Sequence, residues 1–159
     1  LGTYHAEDEL SQHIKLEANI DDMSPEAFEP LMNALFNAGA ADVYLTPIVM
    51  KKSRSAQCLC VLCETDKAEA LSDLILNQST TIGLRQLPFS KRVLPRHMRS
   101  IDTQFGVVRV KEVTQPNGRL RWKIEHQDVL DIAASRTDSD YQELRKIINK
   151  EVGDYYSTL

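Results

Sequence analysis

Residues 13–36 read HIKLEANIDDMSPEAFEPLMNALF, and the change of period inside this stretch decides the fold. Ile14, Leu16, Ala18 and Ile20 alternate with Lys15, Glu17, Asn19 and Asp21, the two-residue period of a strand with one buried face. Ser24-Pro25-Glu26 then reads as a helix start. A Ser oxygen can take a free backbone N–H, proline tolerates the first helical position, and Glu suits the positive end of the helix dipole. Phe28, Leu31, Met32, Leu35 and Phe36 follow at three- and four-residue spacing, so the helix packs by one stripe, and Gly39 is placed to end it.

Working outward, residues 41–52 are rich in Val, Ile, Thr and Tyr and read as a second strand, with Pro47 favouring an edge position. A polar turn, Lys51-Lys52-Ser53-Arg54-Ser55, leads to a third strand at 57–64 and a helix at 67–78 with Leu71, Leu74 and Ile75 as its apolar stripe. A fourth strand is expected at 81–87. Strand, helix, strand, strand, helix, strand is the split βαβ order of a ferredoxin-like sheet with helices on one face, an α+β fold. Pro88 and Pro95 then break the pattern, so a ferredoxin-like unit is expected over 1–90 and a smaller one over 91–159. The smaller unit reads as strands at 98–103, 107–114 and 119–124, then helices at 127–135 and 138–152, the last capped by Asp138 with Tyr141, Leu144, Ile147 and Ile148 inward.

The chain has 159 residues, of which 42% are hydrophobic and 26% charged, enough for a core without disulfides or a structural metal. No apolar run approaches the roughly 18 residues of a membrane span, and Leu1-Gly2-Thr3-Tyr4-His5 is neither a signal peptide nor a lipidation motif, so a soluble, cytoplasmic protein is expected. The missing initiator Met suggests a piece of a longer protein. The net charge of -4 hides an asymmetry: residues 1–84 hold 5 Lys/Arg against 13 Asp/Glu, residues 85–123 hold 10 against 2, and residues 124–159 hold 4 against 8. A local basic excess attracts phosphates or an acidic partner, or is neutralised within the fold, while the overall balance argues against a general nucleic-acid coat.

In a ferredoxin-like arrangement three connections leave the same end of the sheet. They carry Asn19-Ile20-Asp21-Asp22-Met23-Ser24, Lys51-Lys52-Ser53-Arg54, and Ser79-Thr80-Thr81-Ile82-Gly83-Leu84-Arg85. Carboxylates, cations and hydroxyls on one rim suit a nucleotide polyphosphate with a divalent ion: Asp oxygens hold the hard cation or its waters, Lys and Arg offset phosphate charge, and hydroxyls donate to phosphate oxygens. Each piece alone has a plainer reading, since Asp21 and Asp22 can serve a helix start and Lys51-Lys52 a solvated hairpin. Alternation also puts Glu17, Asn19 and Asp21, with Thr81 and Arg85 of the neighbouring strand, on the sheet face away from the helices.

Cys58, Cys60 and Cys63 lie at Cys-x-Cys-x-x-Cys spacing, but on a strand the first two share a face and the third points the other way. They read as small buried thiols of a reducing compartment rather than a three-thiol cluster. His5, His13, His97 and His126 are scattered, with no pair at metal-binding spacing. Trp122 and Phe105 read as core or interface residues rather than base-stacking platforms.

The run Leu16-Glu17-Ala18-Asn19-Ile20-Asp21-Asp22-Met23-Ser24-Pro25-Glu26 resembles a signature of the LarC family, nickel-insertion proteins that build the nickel-pincer cofactor of lactate racemase. Agreement continues in order through Gly39-Ala40-Ala41-Asp42-Val43, Thr46-Pro47-Ile48-Val49-Met50-Lys51-Lys52, Val61-Leu62-Cys63, the 79–85 stretch and Gly106-Val107-Val108-Arg109-Val110-Lys111. The resemblance spans most of residues 14–128 and is to the C-terminal part of the family; the N-terminal part with its His-rich segment is missing.

It implies a part of a nickel chelatase, a lyase acting on pyridinium-3,5-bisthiocarboxylic acid mononucleotide, that binds and consumes CTP with Mn2+ or Mg2+ while nickel enters the organic ligand. Assembly into a homo-oligomer is expected, and no membrane or nucleic-acid partner. Asp21 and Asp22 are the candidates for the divalent ion, and Lys51, Lys52, Arg54, Thr80, Thr81 and Arg85 for the triphosphate. Arg96 and Lys111 are candidate basic support, with Glu17, Asn19, Glu125 and Asp128 next in rank. Two departures stand out: the family's Lys-Lys-Gly-Arg-Pro is here Lys51-Lys52-Ser53-Arg54-Ser55, and its Pro-Glu-Tyr-Glu-Asp-Cys is Ile124-Glu125-His126-Gln127-Asp128-Val129. The alternatives are a small-molecule-sensing regulatory module on the same sheet, needing no divalent ion, and, ranked last, an RNA-binding domain using the basic block.

Overall fold

The computed structural model describes residues 13–138 and 140–159; His5 and the rest of the N-terminal stretch lie outside the described residues. The chain divides into two compact units, the first ending at Lys91 and the second beginning at Arg92.

In the first unit β1 (His13–Ile20) is followed by α1 (Phe28–Asn37), β2 (Asp42–Met50), β3 (Arg54–Glu64), α2 (Ala68–Gln78) and β4 (Arg85–Phe89). The strands form one antiparallel sheet in the order β2-β3-β1-β4, the ferredoxin-like arrangement. Pro47 lies on the edge strand β2, where its missing N–H costs no ladder bond on the outer side. Leu16, Ala18 and Ile20 of β1 and Leu59, Val61 and Cys63 of β3 turn to the helices and meet Phe28, Leu31 and Leu35 of α1 and Leu71 and Ile75 of α2.

The helix starts differ from expectation. The Ser24 side chain makes no cap bond; a single 3-10 turn, Pro25–Ala27, intervenes, and the Ala27 N–H donates to the Ser24 carbonyl at 3.0 Å. Phe36, expected in the apolar stripe, is exposed, because the stripe is already filled by Leu31 and Leu35. Gly39 ends α1 as expected, with φ at +98°, while the Ala40 N–H donates back to the Leu35 carbonyl.

Two boundaries bear on the site. The strand expected from Thr81 starts only at Arg85, so Thr81 does not sit on a strand beside β1. Its hydroxyl donates instead to the Gly83 carbonyl at 2.8 Å and its N–H to the Ser79 hydroxyl oxygen, local bonds that compete with sheet pairing. The β2–β3 hairpin is tighter than expected: Met50 pairs with Arg54, leaving Lys51–Ser53 as the connection, with Lys52 at φ +61° and Ser53 at φ +56°.

The second unit is a three-stranded antiparallel sheet of β5 (Arg96–Thr103), β6 (Gly106–Thr114) and β7 (Leu120–Ile124), with α3 (His126–Ala134) and α4 (Tyr141–Ser157). Ile101, Val108, Val110 and Ile124 of the sheet pack with Val129 of α3 and Leu144, Ile148 and Val152 of α4. The cap of α4 is Asp140, which accepts from the Gln142 N–H at 3.0 Å, and not Asp138; the helix begins three residues later than expected. Trp122 stacks on Tyr156 with ring centroids 5.3 Å apart, and Phe105 lies under the Arg136 guanidinium, so both aromatics belong to the packing of this unit.

Candidate functional site at the rim of the first sheet

The β1–α1 connection carries Asp21 and Asp22, because the strand runs out at Ile20 and Pro25 delays the helix. Arg54, first residue of β3, reaches across from the hairpin, its Nη1 3.5 Å from Asp21 Oδ2. From the α2–β4 connection the Thr80 hydroxyl donates to Asp22 Oδ1 at 2.6 Å. The three connections therefore meet, with the two aspartates at the centre. These bonds use Oδ2 of Asp21 and Oδ1 of Asp22, so one oxygen of each carboxylate lies outside them.

Arg85 extends the site onto the sheet face away from the helices. Its Nε donates to Glu17 Oε2 at 3.2 Å and its Nη2 to Asn19 Oδ1 at 3.0 Å. Lys15, two residues from Glu17 on the same face, completes the group with Nζ 2.6 Å from Glu17 Oε1. The Lys15 ammonium, helped by Arg85, holds the Glu17 carboxyl below the usual carboxylate range, and Glu17 pushes the Lys15 ammonium well above its own. Lys15 was not among the expected site residues; the alternation that puts it beside Glu17 is the signal that finds it. Lys51 and Lys52 are exposed on the hairpin. A cavity of about 220 Å³ adjoins Asp21, walled by Met23, Pro25 and Phe28 from the helix side and by Leu45 and Gln57 from β2 and β3. These wall residues come from three separated stretches, which no local pattern links.

Of the candidates in the second unit, Lys111 and Glu125 pair with each other, whereas Asp128 is held by Arg109, which was not among the expected residues. Asp128 near the start of α3 accepts a two-pronged contact from Arg109, Nη2 to Oδ1 at 2.7 Å and Nε to Oδ2 at 3.1 Å, and also the Arg109 N–H at 2.7 Å. Arg109 holds the Asp128 carboxyl below its ordinary value. Lys111 Nζ lies 3.2 Å from Glu125, and Arg96 is exposed at the start of β5.

On β3, Cys58 and Cys60 lie opposite Asn19 and Glu17 on the face away from the helices, whereas Cys63 is in the helix-side core. All three thiols are buried, and burial pushes the Cys58 thiol up to about 11.

Residues 3–144 match the family model described as nickel insertion protein. The chain belongs to the nickel insertion protein family. Among its curated relatives, the pyridinium-3,5-bisthiocarboxylic acid mononucleotide nickel insertion protein of Acetivibrio thermocellus is 42% identical over 113 residues, 70% of this chain and 28% of that protein. The protein of the same name from Clostridium acetobutylicum is 33% identical over 156 residues, 96% of this chain and 37% of that protein. The chain thus spans about a third of the length of the curated relatives it matches. A solved structure, LarC2, described as the C-terminal domain of a cyclometallase involved in the synthesis of the NPN cofactor of lactate racemase, superposes with a TM-score of 0.78 at 32% identity. The match covers 89% of this chain and 97% of that one, so family membership is through the C-terminal domain. A Methanopyrus kandleri AV19 protein shares the fold at 19% identity, with a TM-score of 0.65.

Proposed function

We propose that this chain is the CTP-binding part of a nickel insertion enzyme, which places nickel into pyridinium-3,5-bisthiocarboxylic acid mononucleotide together with the part of the relatives that it does not span. What supports this most is the meeting of three connections at Asp21 and Asp22, where the Arg54 and Thr80 contacts gather carboxylates, a guanidinium and a hydroxyl at one rim.

The donor set suits a manganese or magnesium nucleotide. Hard cations take oxygen ligands, and Asp21 and Asp22 offer carboxylate oxygens outside their present bonds. When bound there, the ion supplies neutralising charge for a triphosphate. The chain supplies the rest. Arg54, 3.5 Å from Asp21 and exposed, can turn to a phosphate oxygen at little cost. Lys51 and Lys52 bring two further cations, and the hydroxyls of Thr80 and Thr81 become donors for phosphate oxygens once they turn from Asp22 and the Gly83 carbonyl. Arg85, held by Glu17 and Asn19, is a preset cation beside them. Cations so placed stabilise the negative charge that grows on a departing pyrophosphate when a phosphorus of CTP is attacked. Glu125 and Asp128, paired with Lys111 and Arg109, fix the local geometry of the second unit, where Arg96 is a further exposed cation. The enzyme works as a homo-oligomer in the cytoplasm on this reading.

Calorimetry of the chain with CTP, ATP, GTP and UTP, each with and without manganese, tests the proposal. CTP is expected to bind best, and only with the ion. Asp21→Asn and Arg54→Ala are expected each to weaken manganese-CTP binding about tenfold or more, the loss of a charge-assisted contact. Metabolite binding that needs no divalent ion favours a sensing module; parental affinity in both variants removes the site from this rim.

A further inference from the structure

The sheet face away from the helices holds a second group of ligand atoms, separate in its chemistry from the rim. Glu17 on β1 is directly opposite Cys60 on β3, and Cys58 lies two residues along β3 on the same face. One carboxylate oxygen and the two sulfurs lie within 4.8 Å of one another, and the sulfurs are 3.7 Å apart. We propose that Glu17, Cys58 and Cys60 bind a soft divalent ion of the zinc type in tetrahedral geometry.

The spacing carries the argument. With metal–sulfur bonds of about 2.3 Å, two sulfurs 3.7 Å apart subtend about 107° at the metal, close to the tetrahedral angle. A square-planar ion, the preference of nickel, needs its neighbouring sulfurs roughly 3.2 Å apart for the same bond length. Side chains two residues apart on a regular strand point the same way, so the sheet presets this bite. Second-sphere support is present: Lys15 and Arg85 both hydrogen-bond the Glu17 carboxylate and fix its orientation, as outer partners of metal ligands do. The thiols are the type of ligand that selects zinc over magnesium or manganese, which separates this ion from a nucleotide's. Cys63 has no part in it, because it faces the opposite core. Three protein ligands leave the fourth position for water or an incoming ligand, the pattern of a site where ligands exchange rather than of a closed structural one.

The test is cobalt titration of the reduced chain under anaerobic conditions, read by absorption. Thiolate-to-cobalt charge transfer together with intense visible bands is expected, the mark of a tetrahedral sulfur site. The charge-transfer intensity in the parent chain should count two thiolates, a reading that does not depend on any variant folding. Cys58→Ser and Cys60→Ser are each expected to weaken cobalt binding by at least about tenfold, the scale on which even outer partners act, and Cys63→Ser to leave it within about twofold. Zinc should displace the cobalt, and an equal concentration of nickel should not. Weak octahedral bands without charge transfer, binding unchanged in both serine variants, or nickel displacing cobalt as well as zinc does would each overturn the assignment.

Discussion

Glu112 of β6 shows how one carboxylate ties a neighbouring strand and a helix together. It pairs with Arg99 on β5 and accepts from the Tyr156 hydroxyl of α4 at 2.6 Å, while Tyr156 stacks on Trp122. The Arg99 contact, with Tyr156 second, holds the Glu112 carboxyl below the ordinary glutamate value of 4.5. A carboxylate lowered on folding contributes stability that is complete above its unfolded value and is lost as the pH falls through the folded one. Glu112→Gln is therefore expected to lower stability at neutral pH by about 1 kcal/mol and to flatten its decline below about pH 5. Urea unfolding of parent and variant across that range checks both. Loss of stability with an unchanged acid limb would mean that Glu112 titrates alike in both states. At the same scale, Leu35 is fully buried between α1 and the sheet, and Leu35→Ala should cost about 2–5 kcal/mol by the same measurement.

Among the elements, the two ends of β2 make the same demand on the backbone, a positive φ, and meet it with different residues. Before it, Gly39 adopts φ +98°, where side chains are strained, and an added Cβ would meet Lys67 Nζ at 3.1 Å. After it, Lys52 and Ser53 adopt left-handed conformations although neither is glycine. Gly39→Ala is expected to destabilise by about 1–2 kcal/mol and Ser53→Gly to stabilise by about 1 kcal/mol, opposite shifts of the urea midpoint. If Ser53→Gly also weakens manganese-CTP binding, the strained hairpin presents its lysines in the shape that the nucleotide needs. The hairpin also marks the limit of what could be read in advance. Alternation in β1 and β3 and the stripes of α1 and α2 reveal the elements and their buried faces, and the succession of those elements along the chain points to the sheet order. The meeting of Asp21, Asp22, Arg54 and Thr80 follows from that order. The late start of β4 does not: Thr81 has strand propensity, but hydroxyl bonds to Gly83 and Ser79 outweigh it. Nor does the Glu17 and Cys60 neighbourhood, which depends on pairing register between strands some forty residues apart.

Over the whole molecule, part of the charge sorting of the sequence is resolved by local pairing. Among the described residues of the second unit, Arg99, Arg109 and Lys111 of the basic block meet Glu112, Asp128 and Glu125, two of which come from the acidic C-terminal block. The net charge of the chain stays at -4, and among the described residues no helix is long and apolar enough to cross a membrane. Single-stranded RNA is accordingly expected to show no retention in filter binding at about 0.15 M salt, whereas a steeply salt-dependent affinity would restore the RNA-binding reading. Both outer strands of the first sheet carry a proline, Pro47 in β2 and Pro88 in β4. A ring nitrogen cannot donate to an approaching backbone, so a further chain cannot zip smoothly onto either border. Copies of this protein are thereby steered away from runaway ribbon growth along the borders of that sheet.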